Sequence, residues 1–245
     1  MMNKNFNYNA TFPLQCVRLR HSGLAGFMLF ALTAITTPAA AQDTTRFHHP
    51  NGAISSEGVL IDGEPDGVWT SYDRQGKLIS RATWSGGVLN GISTFYKNDA
   101  PTSEINYKYG QRNGLSTYYN GNERIEEPYE NGLRQGVRRV YRNDILAMET
   151  PFVKDLENGL EKIYSVDTSL QAQRGNPITL TTYRKGLVTH RENINRLDAQ
   201  NRKQGVWKIL YPNDIVNIEV TYRNGLRKGY YKEYDTSGYL ILLEK

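Results

Sequence analysis

Four histidines and a scatter of carboxylates are the side chains of this chain that could do acid–base or metal chemistry. His48 and His49 are adjacent, so on a strand they project to opposite faces and do not converge on one ion. His190 and Glu192 stand two apart and would share a face, giving half of a metal site or an acid–base pair without a third partner. No serine, threonine or carboxylate sits in a nucleophile-elbow or triad-like setting. No catalytic residue, metal site or cofactor is therefore expected. Tyrosines at regular spacing are the remaining chemistry: a column of them could hold sugar rings or a polypeptide, since the ring face is apolar and the hydroxyl polar. Such columns also build cores.

Those side chains are positioned by a repeat. Tyr129-Glu130-Asn131-Gly132-Leu133-Arg134-Gln135-Gly136-Val137 returns as Tyr222-Arg223-Asn224-Gly225-Leu226-Arg227-Lys228-Gly229-Tyr230. Its second glycine recurs at Gly67, Gly91, Gly114, Gly136, Gly159, Gly205 and Gly229, at steps of about 23 residues with one degenerate copy before Gly205. A period of roughly 20–50 residues specifies a stacked array. Each unit has two turns. One is the Gly-x-x-x-Gly loop, as in Gly63/Gly67 and Gly132/Gly136, where positive φ is expected; Asp155/Gly159 and Asn201/Gly205 keep only its second glycine. The other is Asn51-Gly52, Gln75-Gly76, Asn98-Asp99, Asn120-Gly121, Asn143-Asp144, Asn213-Asp214 or Ser237-Gly238, read as a tight hairpin turn. One unit is strand, tight turn, strand, glycine loop. No helical period interrupts the array, so the class is all-β, built of stacked β-hairpin repeats.

The strand after each second glycine carries an apolar residue at plus one and tyrosine at plus five, as in Val68/Tyr72, Ile92/Tyr96, Leu115/Tyr119, Val137/Tyr141 and Leu160/Tyr164. Even spacing puts each pair on one face, which is expected to pack. The opposite face, with Trp69, Phe95, Tyr118, Val140, Ile163 and Trp207, is expected to contact a partner. A further column, Leu60, Trp84, Tyr107, Tyr129, Phe152, Tyr183 and Tyr222, ends the second strand of each unit. Pro128 and Pro151 precede members of it, and since proline donates nothing to a ladder these strands should end early or bulge. Residues 165–176 and 188–202 break the rhythm, as functional loops or as decayed repeat, and are expected to be exposed insertions.

Residues 1–41 read as a secretory signal: Lys4, Arg18 and Arg20, an apolar run from Leu24 to Ile35, then Ala39-Ala40-Ala41. Residues 42–245 form the repeat array, expected in the periplasm or at the cell surface. The lone Cys16 precedes the apolar run and leaves with the signal. Removing those three cations, and no acid, takes the formal charge from +5 to +2. That small excess excludes a nucleic-acid partner.

At Gly67-Val68-Trp69-Thr70-Ser71-Tyr72, Asn90-Gly91-Ile92-Ser93-Thr94-Phe95-Tyr96 and Gly205-Val206-Trp207-Lys208 the pattern resembles the MORN repeat variant, from about Phe47 to the last residue. Exported bacterial proteins of this kind are often labelled YwqK-type antitoxins. The resemblance implies an elongated, twisted antiparallel sheet of successive hairpins, with roles in protein contacts or membrane-surface attachment. Asp155 and the unit between Gly159 and Gly205 depart from the pattern, and a kink is expected there. The function expected is a non-enzymatic scaffold for protein–protein interaction; the alternative is an envelope module taking glycan or lipid headgroups on its aromatic face. Tyr239-Leu240-Ile241-Leu242-Leu243 is the most apolar run after the signal, and on an edge strand it would invite a protein partner or a second copy.

Overall fold

The computed structural model describes residues 43–166 and 175–245, and every regular element there is a strand. The signal segment and most of 165–176 lie outside the described residues. The first hairpins use β1 (Thr44–His48), β2 (Ile54–Ile61), β3 (Glu64–Tyr72), β4 (Leu78–Ser85), β5 (Val88–Lys97) and β6 (Ala100–Lys108). Next come β7 (Gln111–Arg112), β8 (Gly114–Asn120), β9 (Glu123–Glu130), β10 (Leu133–Arg134), β11 (Gly136–Arg142) and β12 (Ile145–Val153). With β13 (Leu156–Glu157), β14 (Gly159–Tyr164), β15 (Pro177–Arg184) and β16 (Leu187–Asn193) they form one 16-stranded antiparallel sheet in chain order. A second sheet follows, of β17 (Arg196–Leu197), β18 (Lys203–Leu210), β19 (Val216–Arg223), β20 (Leu226–Tyr234) and β21 (Leu240–Glu244). The fold is the all-β stack of hairpins that the repeat predicts.

Both turns are hairpin turns, and the tighter one is at the first glycine. Asp62-Gly63 (φ 53° and 83°), Asn131-Gly132 (50°, 84°) and Asn224-Gly225 (54°, 81°) place two successive residues at positive φ. That is the type I′ geometry, whose twist matches the flanking strands. The second glycine is a bulge inside the next strand. Val59 pairs with Asp66 but Glu57 with Thr70, so Gly58 alone faces Gly67, Val68 and Trp69. In the middle units the residue before the bulge still bonds backward, Gln135 N to Pro128 O at 3.0 Å and Asn158 N to Pro151 O at 2.9 Å. Pro128 and Pro151 therefore neither end nor bulge their own strands. The neighbour bulges instead.

The other turn has two forms. Asn98-Asp99 and Asn143-Asp144 are again two residues at positive φ. At Asp73–Lys77 the turn is wider: Asp73 N donates to Lys77 O (2.8 Å), Gly76 N to Asp73 O (3.0 Å), and Asp73 Oδ1 accepts from both Gln75 N and Lys77 N. Asp198–Arg202 and Asp235–Tyr239 repeat this pattern. Asn201 is thus the positive-φ residue of a wide turn, and not the first position of a glycine loop.

The packed face is the reverse of the expected one. Trp69 is 6% exposed, whereas Val68, Ile92 and Leu115 are 59%, 56% and 50% exposed. The buried side chains include Trp69, Ala82, Ile105, Val140 and Phe152, with Ser93 and Ser116 fully enclosed. The reason is bulk. Aromatic rings at plus two and plus four remove more surface from water than the valine, isoleucine or leucine on the other side. Small residues beside them let the rings lie down: a β-carbon on Gly58 would fall 2.4 Å from the Trp69 ring.

The 188–202 segment is largely exposed, as expected, but it is not an insertion: it supplies most of β16 and all of β17, and between them Ile194 and Asn195 are 0% and 1% exposed. Here the chain passes between sheets. Asn195 N donates to Val206 O at 2.9 Å, and its amide Nδ2 donates to Pro177 O and Lys208 O, each at 2.9 Å. Its Oδ1 accepts from Lys208 N at 2.8 Å. One side chain does the pairing that a strand residue would do.

Candidate interaction surface

The face away from the aromatic rings is built in rows that run across the strands. Register sets the central row: Glu57 stands opposite Thr70, Thr70 opposite Arg81, Glu126 opposite Arg139, Arg139 opposite Glu149, and Glu149 opposite Lys162. Opposite charges on facing positions attract, each such pair being worth roughly 0.2–1 kcal/mol. The row continues across the sheet junction, where Lys208 Nζ lies 2.7 Å from Glu192 Oε1, and on through the second sheet, where Lys232 Nζ lies 2.7 Å from Glu219 Oε1. Lys162 Nζ also reaches Asp214 at 2.7 Å, tying the second sheet back to the first.

On one side of this row stand the plus-five tyrosines. Tyr72 OH donates to Glu57 (2.9 Å), Tyr141 OH to Glu126 (3.3 Å) and Tyr164 OH to Glu149 (2.8 Å), each carboxylate lying 15 residues earlier in the chain. The hydrogen bond to Glu57 chiefly raises the Tyr72 hydroxyl pKa. For Tyr141 and Tyr164 burial acts first and the carboxylate adds to it. All three stay protonated donors at neutral pH. The same spacing joins Glu104 to Tyr119, whose hydroxyl is raised by burial and then by Glu104. The 15-residue Glu–Tyr spacing is legible in the sequence as a signal, and recurs at Glu219/Tyr234.

On the other side stands an exposed aliphatic row. Val68, Ile92 and Leu115 head it, and Val88, Leu133, Leu156, Leu187 and Leu226, which follow the first-glycine turns, extend it toward the turn edge. One apolar contact is thus offered every repeat, beside a mixed-charge row.

The residues singled out by sequence fall in two groups. Trp69 packs inward, its Nε1 donating to Val59 O at 2.9 Å and its ring stacked on Phe47 at 5.9 Å. Tyr118 is held by Arg112 Nη1 at 3.2 Å, Val140 is buried, and Phe95 and Ile163 are half-buried on the same face. Trp207 lies edge-on to Tyr222, with its Nε1 donating to Arg196 O and the Lys203 ammonium 4.5 Å over its ring. Of these side chains Trp69 and Val140 are buried, and Phe95, Tyr118 and Trp207 are half-buried. Tyr239, Leu240, Ile241 and Leu242 are all exposed, on and just before β21.

Cations cap the second-strand aromatic column from the same repeat position. Arg112 lies over Tyr129, Arg134 over Phe152 at 4.3 Å, and Lys203 over Tyr222. Around Tyr129 the cluster is polar: its hydroxyl donates to Glu127 at 2.8 Å and accepts from Arg112 at 3.1 Å, and burial raises its pKa. Arg138 Nε comes within 2.9 Å of Glu127 as an ion pair, but off the hydrogen-bonding angle. His49 Nε2 meets Tyr72 O at 3.0 Å, and Glu192 is occupied by Lys208. Among the described residues no three metal-ligating side chains converge, and no helix is long and apolar enough to cross a membrane.

No curated protein matches this chain. The family model for the MORN repeat variant matches residues 65–85 and 203–224. These segments are β3 with β4 and β18 with β19, each running through a bulge glycine, the following strand and the turn to its partner. From Gly91 to Gly159 the units between them repeat the bulge glycine and the register of the strand that follows it. The chain thus carries MORN repeat variants, matched at two of its hairpin units.

Proposed function

We propose that this chain is a non-enzymatic repeat scaffold, exported to the periplasm or cell surface, that binds a protein partner along its sheet. The observation that carries this reading is the exposed aliphatic row: Val68, Ile92 and Leu115 recur once per repeat, more than half or half exposed, beside the in-register charged row. Contiguous apolar surface rimmed by polar residues marks an interaction site. Charge on its border favours a protein, which can match the sign at each step, and register between the two follows from that match. The glycan or lipid-headgroup reading draws less support, because Trp69 is packed inward and Trp207 carries the Lys203 ammonium over its ring.

The test compares the wild type with Ile92→Lys/Leu115→Lys in pull-downs from envelope extract, alongside co-sedimentation with peptidoglycan and with liposomes. The expected outcome is a saturable protein partner lost in the double variant, whose melting temperature stays at the wild-type value because neither side chain is buried. Retention of that partner by the double variant, or binding to peptidoglycan or liposomes alone, would overturn the reading. Export is tested by mass spectrometry of the exported protein, expected to begin at Gln42.

A further inference from the structure

We propose that copies of this chain join head to tail, the β21 edge of one copy pairing with the β1 edge of the next. The proposal rests on the scaffold reading and adds a second copy as the occupant of the array's ends. Inside the array two strand types alternate: those that follow a bulge glycine, and those that follow the second turn. Apart from β15, whose neighbour β16 follows no bulge glycine, the inner strands of the second type pair on their far side with one of the first type, in one fixed register. Ser56 meets Ser71 and Glu57 meets Thr70; Ser80 meets Phe95 and Arg81 meets Thr94; Ile125 meets Val140 and Glu126 meets Arg139; Ile218 meets Glu233 and Glu219 meets Lys232.

The two terminal strands are of opposite type. In β1, Arg46 faces Glu57 and Phe47 faces Ser56, which are the positions of a first-type strand. In β21, Leu243 faces Lys232 and Leu242 faces Glu233, the positions of a second-type strand. Among the described residues neither has a strand on its outer side. Carrying the internal register across the two edges sets Leu243 opposite Arg46 and Leu242 opposite Phe47. Phe47 is 43% exposed although it stacks on Trp69, and Leu242 is 39% exposed, so their contact would extend the packed face into the next copy. β21 lacks the proline and the run of charge that usually blunt an edge. Pairing β21 with β21 would leave β1 bare, whereas the head-to-tail rule uses both edges. Such a contact is heterologous: it repeats from copy to copy and, unless its rotation closes a ring, propagates into an open chain of copies.

The test uses the full chain with Cys16→Ser, into which Phe47→Cys or Leu242→Cys is placed singly. Residues directly opposite in an antiparallel pair bring their β-carbons to roughly 4.5–5.5 Å, close enough for a strained or a relaxed disulfide. Mixing the two variants under mild oxidation should give the mixed 47–242 disulfide, and sedimentation of the Cys16→Ser parent should show mass rising with concentration beyond a dimer. Leu242→Lys should abolish that rise while leaving the circular dichroism spectrum and melting temperature unchanged. Disulfides between two Leu242→Cys copies only, or a mass that stays at one or two chains at all concentrations, would overturn the proposal. Capture of a partner by such a monomer, lost with Ile92→Lys/Leu115→Lys, would leave the scaffold reading standing alone.

Discussion

Asn195→Ala should damage this fold more than its place in a broken stretch of the repeat suggests. The residue is 1% exposed, and its side chain bonds to Pro177 O, to Lys208 O and from Lys208 N. Alanine leaves two carbonyls and one N–H without that partner where the two sheets meet. Each buried orphan costs about 1–3 kcal/mol. Because a carbonyl has a second lone pair and Lys208 is not wholly enclosed, the lower end applies, and the total is about 3–5 kcal/mol. A second cost is conformational: Asn195 sits at φ 53°, and alanine in that region costs about 1–2 kcal/mol. Asn195→Gly removes the same hydrogen bonds but tolerates the backbone, so it should be the milder variant by about 1 kcal/mol. Against a typical stability of about 5–15 kcal/mol, the alanine variant would lose a large share. Urea unfolding followed by circular dichroism gives the free energies, and amide exchange at Lys208 reports the junction directly. A loss below about 1 kcal/mol, the ordinary cost of a point change, with Lys208 still protected, would refute the account of Asn195 as the bridge.

Gly58→Ala should push the Trp69 ring off its seat, since the new β-carbon would meet it at 2.4 Å; overpacking of this kind costs about 1–3 kcal/mol and should red-shift the tryptophan emission. An unchanged spectrum would count against the notch. Gly136→Val faces φ 109° and the Pro128 ring at 3.1 Å, and a melting temperature equal to wild type would contradict the expected cost of about 1–3 kcal/mol. Acid should destabilise the chain through depressed carboxyls. Arg46 first and then Tyr72 hold Glu57 low; at Glu149 burial pushes upward but Tyr164 and Lys162 outweigh it; the Arg202 backbone N–H holds Asp198 at about 2. Groups depressed on folding stabilise fully above their ordinary values and lose that contribution as pH falls through the folded ones. Melting temperature should therefore decline from about pH 4.5 toward pH 2, and a rise over that window would reverse the sign argued here.

The repeat, its phase and the all-β class were legible in the sequence because the signals are local. Two residues at positive φ make a type I′ turn whatever surrounds them, so Asn98-Asp99 and Asn143-Asp144 announce hairpins by themselves, whereas Asn131-Gly132 reads in the sequence only as part of a glycine loop. The Glu57/Tyr72 and Glu149/Tyr164 pairs were also written in the chain, as a fixed spacing of 15, but only register turns that spacing into a hydrogen bond. Which face packs was not legible. Alternation separates Val68 from Trp69 but is symmetric between the two faces, and the choice fell to the ring that could lie on Gly58. The least regular stretch was the most misleading for the same reason. Around Asn195 the glycine pattern is missing, which by local rules reads as a loop; its burial comes from Pro177 and Lys208, 18 and 13 residues away in the chain and adjacent only once both sheets have formed.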